Sequence, residues 1–340
     1  MKQIDISELK NLLLKAASKV IPLDEAEYYA QEHLEILLRK SDEIEGGWVE
    51  QFIQDIQKWK DAKDKEFKIL IDKEGTKLID CNNLPPSLKL KEIQDDLEKR
   101  TKQLGIAMTG LFHLGGDDAL SIWTNDLAKR GLIALCFVNG GKPLVVPYGG
   151  IKAMLGVNPM AYAIPALDHP VIGDFATSQL ANYRVKAGVR NKINPDVNAV
   201  VDEQGNPTNI LEKGFTAEEG RYLPMGGNYK GYEIVFLIEI LTGALIRSKM
   251  SIFRDLPYYS PKECGQLLIA IDVASLTDLE EFKRSVSDMC NEIRSQDHAD
   301  FVKEITVPGD RSFKRMQENL NKGTIELEED QIQELEKLGR

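Results

Sequence analysis

Two segments carry residue types and spacings that can do chemistry. The first is Gly226-Gly227-Asn228-Tyr229-Lys230-Gly231, which leads into the apolar run Tyr232 to Leu245. Glycines let a backbone approach a ligand closely, the first amides of a helix point outward without partners, and Lys230 adds a positive charge. Together these suit a phosphate or a carboxylate. The same residues also suit an ordinary glycine-rich turn, and they lack the Gly-Lys-Ser/Thr ending of a Walker loop. The second is His113, in Leu111-Phe112-His113-Leu114-Gly115-Gly116, where a short apolar run ends beside glycines. An imidazole there is placed for proton transfer near neutral pH, although packing alone would also account for it. His33, His169 and His298 lie in helical or polar-loop contexts and are read as bystanders.

The elements that must position these residues can be read from periodicity. Leu9, Leu12, Leu13, Ala16 and Ala17 fall at helical spacing behind Ser7 as N-cap, and Ala26, Ala30, Leu34, Leu37 and Leu38 mark a second helix from about Asp24. Trp48, Phe52, Ile53, Ile56 and Trp59 form a third stripe, read as core rather than as a ligand surface. A hairpin is expected from Phe67 to Ile79 around the turn at Gly75, then a helix from Lys89 to Gly105. From Gly105 to about Ile172, short apolar runs (Ile106 to Met108, Leu132 to Val138, Leu144 to Val146, Ala161 to Ile164) alternate with glycine and proline turns, so this section reads as strands. Asn191 to Tyr222 is polar, Leu267 to Val273 is a further strand, and Asp278 to Arg294 and Asp330 to Leu338 are amphipathic helices.

The 340 residues, 42% hydrophobic and 29% charged, are enough for one large or two ordinary domains. With 43 Lys and Arg against 54 Asp and Glu, the formal net charge is −11, which repels phosphate backbones and anionic membranes. Nucleic acid and membrane are therefore not expected as partners. Cys81, Cys136, Cys264 and Cys290 lack the paired spacing of a zinc site or redox dithiol, so no metal is expected and the thiols read as buried and reduced. There is neither a long apolar span nor a signal pattern after Met1, and the expected location is cytoplasmic.

No Gly-x-Gly-x-x-Gly fingerprint opens a helix after a strand. Even so, eight segments in order resemble the type-2 malate/L-lactate dehydrogenase family, which also holds ureidoglycolate, sulfolactate, diketogulonate and cyclic-imino-acid (piperideine/pyrroline carboxylate) oxidoreductases. They are His113-Leu114-Gly115, Gly131-Leu132-Ile133 with Val138-Asn139, Pro147-Tyr148-Gly149-Gly150, Gly156-Val157-Asn158-Pro159, Asp174-Phe175-Ala176-Thr177-Ser178, Asp202 to Thr208, Leu223 to Gly231, and Pro308-Gly309-Asp310-Arg311. The resemblance implies a non-Rossmann α/β fold. A mixed or antiparallel central sheet, residues 105–274, binds the nicotinamide dinucleotide, and a helical part is built from both chain ends, residues 1–104 with 275–340. It further implies a homodimer that uses NAD or NADP on a small-molecule substrate, a 2-hydroxy or 2-oxo acid or a cyclic imine. By position, Asp174, Ala176, Thr177, Ser178, Tyr229, Lys230, Gly231, Gly309, Asp310 and Arg311 correspond to cofactor contacts, with Asn139 on the same side. His113 corresponds to an acid/base histidine.

One segment departs from the family pattern. Where relatives carry Ser-His-Gly and then arginines suited to a substrate carboxylate, this chain reads Arg39-Lys40-Ser41-Asp42-Glu43-Ile44-Glu45-Gly46-Gly47, with no histidine and no arginine following. The best register puts Glu45 at the histidine position, with Asp42 or Glu43 as alternatives. A desolvated carboxyl there could donate a proton or pair with a cationic imine. The expectation is thus an oxidoreductase with an atypical substrate site. The alternative is a catalytically impaired member that binds the dinucleotide as a binding or regulatory protein.

Overall fold

The computed structural model describes residues 1–40, 47–62, 65–116, 118–215, 219–254 and 263–340. Strand β1 (Lys2–Asp5) hands over to helix α1 (Ile6–Ala17) at Asp5, whose carboxylate accepts from the amides of Ser7 and Glu8 at 2.8 and 3.1 Å. Asp5, not the expected Ser7, is the cap, because its extended backbone turns its side chain onto the first free amides. Helices α2 (Leu23–Lys40) and α3 (Gly47–Asp61) follow. Their stripes meet as expected of core, with Tyr29 stacked on Phe52 (5.2 Å between centroids) and His33 tilted against it. Nε2 of His33 donates to the Trp48 carbonyl at 2.8 Å, and burial pushes its pKa down to about 4, so His33 is a neutral packing residue.

The strands β2 (Lys68–Lys73) and β3 (Thr76–Asp80) form the expected hairpin. Helix α4 (Leu90–Leu104) ends at Gly105, whose φ of +83° suits a glycine C-cap. After it come β4 (Ile106–Phe112), α5 (Asn125–Lys129), β5 (Leu132–Val138), β6 (Met160–Ile164) and β7 (Val171–Phe175). Helix α6 (Asn182–Asn191), the short pair β8 (Val200–Val201) and β9 (Pro207–Thr208), and α7 (Tyr229–Glu239) precede the last sheet strand, β10 (Gly265–Asp272). The chain closes with α8 (Leu279–Ser295), α9 (Asp310–Lys322), β11 (Thr324–Leu327) and α10 (Glu329–Leu338).

Seven strands form the central sheet in the order β2-β3-β4-β10-β5-β6-β7. Only β3 and β4 run parallel; the other neighbours are antiparallel, giving the mixed, mainly antiparallel sheet that the resemblance implied. The hairpin β2-β3 lies before residue 105 and still belongs to this sheet. The chain's two ends meet where β1 pairs with β11 and α1 packs on α10, and α9 packs across α2. All four cysteines are free and buried. Among the described residues no helix is long and apolar enough to cross a membrane, and no acid, histidine or cysteine group is arranged to hold a metal.

Candidate active site

The register of the sheet places the chemically interesting residues along one end of it. Phe112 lies opposite both Asp80 of β3 and Gly265 of β10, Gln266 lies opposite Val138, Phe137 opposite Met160, and Met160 opposite Phe175. The C-terminal ends of β3, β4, β5 and β7 therefore share a rim, and His113, Asn139 and the Asp174 to Ser178 loop all leave from it. From β4 to β7 is four strand spacings, about 19 Å at about 4.8 Å each. An extended ligand laid along this rim could reach every one of these segments.

At the β7 end the rim opens into a cleft of about 1170 Å³. Its floor is Ile172 to Asp174 with Arg39 and Lys40 from the end of α2. One wall is α6, presenting Arg184, Lys186 and Arg190; the other is the start of α9 and the turn before it, presenting Gly309, Arg311 and Arg315. Among the described residues, seven lysines and arginines line the cleft against one acid, Asp174, in a chain whose net charge is −11. Guanidinium and ammonium groups are the side chains that pair with anionic ligand groups. Asp174 accepts from Lys40 Nζ at 2.7 Å and from the Ser121 amide at 3.0 Å. Burial would raise its pKa, but the Lys40 charge and these hydrogen bonds outweigh that and hold it below the usual carboxylate value. Burial pushes the Lys186 ammonium down.

The turn into α9 is built on glycine and aspartate. Gly309 has φ +102°, a conformation that L side chains rarely adopt, and a side chain there would stand 3.2 Å from the Ile172 amide. Asp310 grips Arg294 side-on at 2.7 and 2.9 Å and accepts from the Val307 amide at 3.0 Å. Desolvation opposes its ionisation, yet these bonds keep its pKa low. Asp310 thus fastens the turn, and Arg311, next to it, lines the cleft with no ion pair among the described residues.

The loop after β7 is held by two other motifs, Gly156 to Pro159 and Leu223 to Gly231. Thr177 Oγ1 donates to the Asn158 carbonyl at 2.9 Å, its own carbonyl accepts from the Met225 amide at 2.8 Å, and Ser178 bridges Pro224. Ser178 Oγ donates to the Leu180 carbonyl, and Ala176 is half-buried on the same loop. Asn139 is fully buried, its amide spent on the Lys249 carbonyl (3.1 Å) and the Gly265 amide (2.7 Å). The side chains of Asn139, Thr177 and Ser178 therefore serve the frame, leaving backbone as what this loop can offer a ligand.

His113 follows β4 directly with φ +51°, and its carbonyl accepts from the amide of Asn83 at 2.8 Å; Asn82 and Asn83 are also left-handed. Its Nδ1 lies 3.0 Å from Asp80 Oδ1 and its side chain is 44% exposed. Tyr229, Lys230 and Gly231 start α7 outside the basic cleft, where Asn228 Oδ1 caps the Lys230 amide at 3.0 Å. Gly231 is required by packing, since a Cβ would fall 1.9 Å from the Met225 carbonyl. The structure thus gathers Asp174, Gly309 and Arg311 into one cleft and sets His113, Asn139 and the Lys230 turn outside its lining. Glu45, with its alternatives Asp42 and Glu43, lies outside the described residues. Sequence reasoning missed Arg39, Lys40, Arg184, Lys186, Arg190 and Arg315. Arg184, Lys186, Arg190 and Lys192 within nine residues of an acidic chain were the available signal.

An α/β sheet with a cleft lined by lysines and arginines at its strand ends defines a class of small-ligand enzyme. The malate/L-lactate dehydrogenase family profile matches residues 4–336, so the chain belongs to that family and is an oxidoreductase. The malate/(S)-sulfolactate dehydrogenase of Methanothermus fervidus is 31% identical over 243 residues, covering 71% of this chain and 68% of its own. The NAD(+)-dependent ureidoglycolate dehydrogenase of Escherichia coli is 28% identical over 268 residues, 77% of this chain and 74% of its own. The fold matches crystalline malate dehydrogenase from Entamoeba histolytica with a TM-score of 0.82 at 22% identity, covering 99% of this chain and 97% of the other.

Proposed function

We propose that this protein transfers a hydride between a nicotinamide dinucleotide, NAD or NADP, and a small 2-hydroxy or 2-oxo acid or cyclic imine. The observation that carries this reading is the shared rim, where the basic cleft at β7 and His113 at β4 lie along one end of the sheet. The residues fit the group: the cleft is large, glycine-lined at its α9 turn, and cationic enough to take a pyrophosphate. The Asp174 to Ser178 loop and Gly309-Asp310-Arg311 hold the dinucleotide, with Tyr229-Lys230-Gly231 and Asn139 on its flank. The bound dinucleotide supplies the hydride chemistry.

The proton is the protein's task. A carboxylate only accepts, so His113 Nδ1–H donates to Asp80 and Nε2 is the atom that gives or takes a proton at the substrate oxygen or nitrogen. The strained backbone at Asn82, Asn83 and His113 fixes the imidazole at the strand end. A homodimer is part of this reading: α7 and the turn that continues it leave Phe236, Leu237 and Ile240 exposed, an apolar stripe that a second copy would cover.

The test is a fluorescence titration with NADH and NADPH, followed by a screen of 2-oxo acids and cyclic imines for cofactor oxidation. Turnover that falls at least tenfold in His113→Ala is expected. Cofactor binding with no turnover on any substrate would favour a binding or regulatory protein instead.

A further inference from the structure

Arg39 stands at the last turn of α2, on the floor of the cleft, and is only 1% exposed. Its guanidinium lies 5.5 Å over the Phe313 ring, whose plane is in turn stacked on His169 at 4.0 Å. That sandwich fixes the side chain and leaves two of its nitrogens unused: Nε and Nη2 are buried and have no hydrogen-bond partner among the described residues. The nearest carboxylate, Glu35 Oε1, is 3.8 Å from Nε and is already taken by Asn125 Nδ2 at 2.9 Å, while Oε2 holds Lys129 Nζ at 2.7 Å. Beside it, Lys40 is bound to Asp174. Buried donors on a charged group are ordinarily satisfied, because leaving them bare forfeits their hydration. A planar guanidinium held rigid with free donors is the geometry that takes an oxyanion side-on.

We propose that Arg39 is the anchor for an oxyanion of the bound ligands, either the carboxylate of the small acid or a phosphate of the dinucleotide. This rests on the reading of the cleft as the dinucleotide and substrate site. Arg39 acts as a binding residue, and its signature is ligand affinity without a change in the unliganded fold.

The experiment compares the wild type, Arg39→Met and Arg39→Lys by thermal denaturation alone, by fluorescence titration with NADH and NADPH, and by the melting shift that oxalate produces with saturating dinucleotide. The expected result is an unliganded melting temperature close to wild type in both variants, with at least a tenfold loss of one affinity in Arg39→Met and a smaller loss in Arg39→Lys. Loss of dinucleotide affinity identifies a phosphate; loss of the oxalate response at unchanged dinucleotide affinity identifies the carboxylate. Wild-type affinities for both ligands in Arg39→Met overturn the proposal while leaving the cleft reading intact. Should Arg39→Met not fold, the same comparison on Arg39→Lys decides. A wild type that binds neither dinucleotide nor oxalate removes the cleft reading and the anchor with it.

Discussion

Two arginines of this protein sit in opposite surroundings. Arg130, at the end of α5, is enclosed by acceptors: Asp95 and Glu98 at 2.7 and 2.8 Å from Nη1, Asp126 at 2.6 Å from Nε, and the Tyr28 hydroxyl oxygen at 2.9 Å from Nη2. The Tyr28 hydroxyl hydrogen-bonds Asp126, and burial together with that carboxylate pushes its pKa up. Arg39 is more deeply buried, and its Nε and Nη2 meet no acceptor among the described residues. The first is a staple joining α2, α4 and α5; the second is a donor set held ready. Burial alone therefore does not separate structural from functional charge. The inventory of partners does.

The largest effect should come from Arg130→Met, which strands three carboxylates that the guanidinium now holds. A loss of about 3–5 kcal/mol in urea denaturation is expected, and a loss under about 1 kcal/mol would break the contrast. Next comes Glu32, which feels the charges of Lys129, Glu35, Asp126 and Arg39. Desolvation above all raises its pKa from 4.5 to about 7. The folded state then binds a proton that the unfolded chain has released, so the wild type loses stability as pH rises from about 4.5 to about 7. Glu32→Gln should remove that slope and be more stable at pH 8 by an amount on the order of 2–3 kcal/mol, vanishing near pH 4.

Asp174 has the opposite sign. Its folded pKa is depressed, so its pairing with Lys40 contributes above the unfolded value and is lost as pH falls through the folded one. Asp174→Asn should cost about 2 kcal/mol at pH 7, a difference that shrinks below about pH 4. The smallest effect should be that of Arg39→Met on the unliganded protein, within about 1 kcal/mol of wild type, because a buried cation without hydrogen-bonded partners adds little that an apolar side chain of similar length does not. A loss comparable with that of Arg130→Met would erase the distinction between the two sites.

How much of this was legible varied with the element. The stripes of α1, α2 and α3 and the runs that became β4, β5, β6 and β10 were read correctly because their apolar residues are many and face one core. Helix α9 is not legible: Phe313 is its one buried residue, and Asp-Arg-Ser-Phe-Lys-Arg offers periodicity almost no apolar signal. β7 and α6 are faint in the sequence for similar reasons, one holding Gly173 and Asp174, the other mostly polar. Leu144 to Val146, expected as a strand, forms only isolated bridges through Val145. Of the candidate site, the motif residues Asp174, Gly309 and Arg311 are legible in the sequence, whereas the cations from α2, α6 and the body of α9 are not.

The sequence by itself determined the family, the sheet's apolar strands and the local chemistry at Lys230, His113 and Gly309, because residue type, order and glycine conformation are properties of short stretches of chain. Only the tertiary structure decided which charges share a cleft and which are already spent. Arg39 and Arg311 stand 272 positions apart in the sequence and meet because α9 packs across α2. Whether a buried guanidinium is satisfied depends on what the rest of the chain places within about 3 Å of it, which no short stretch of sequence contains.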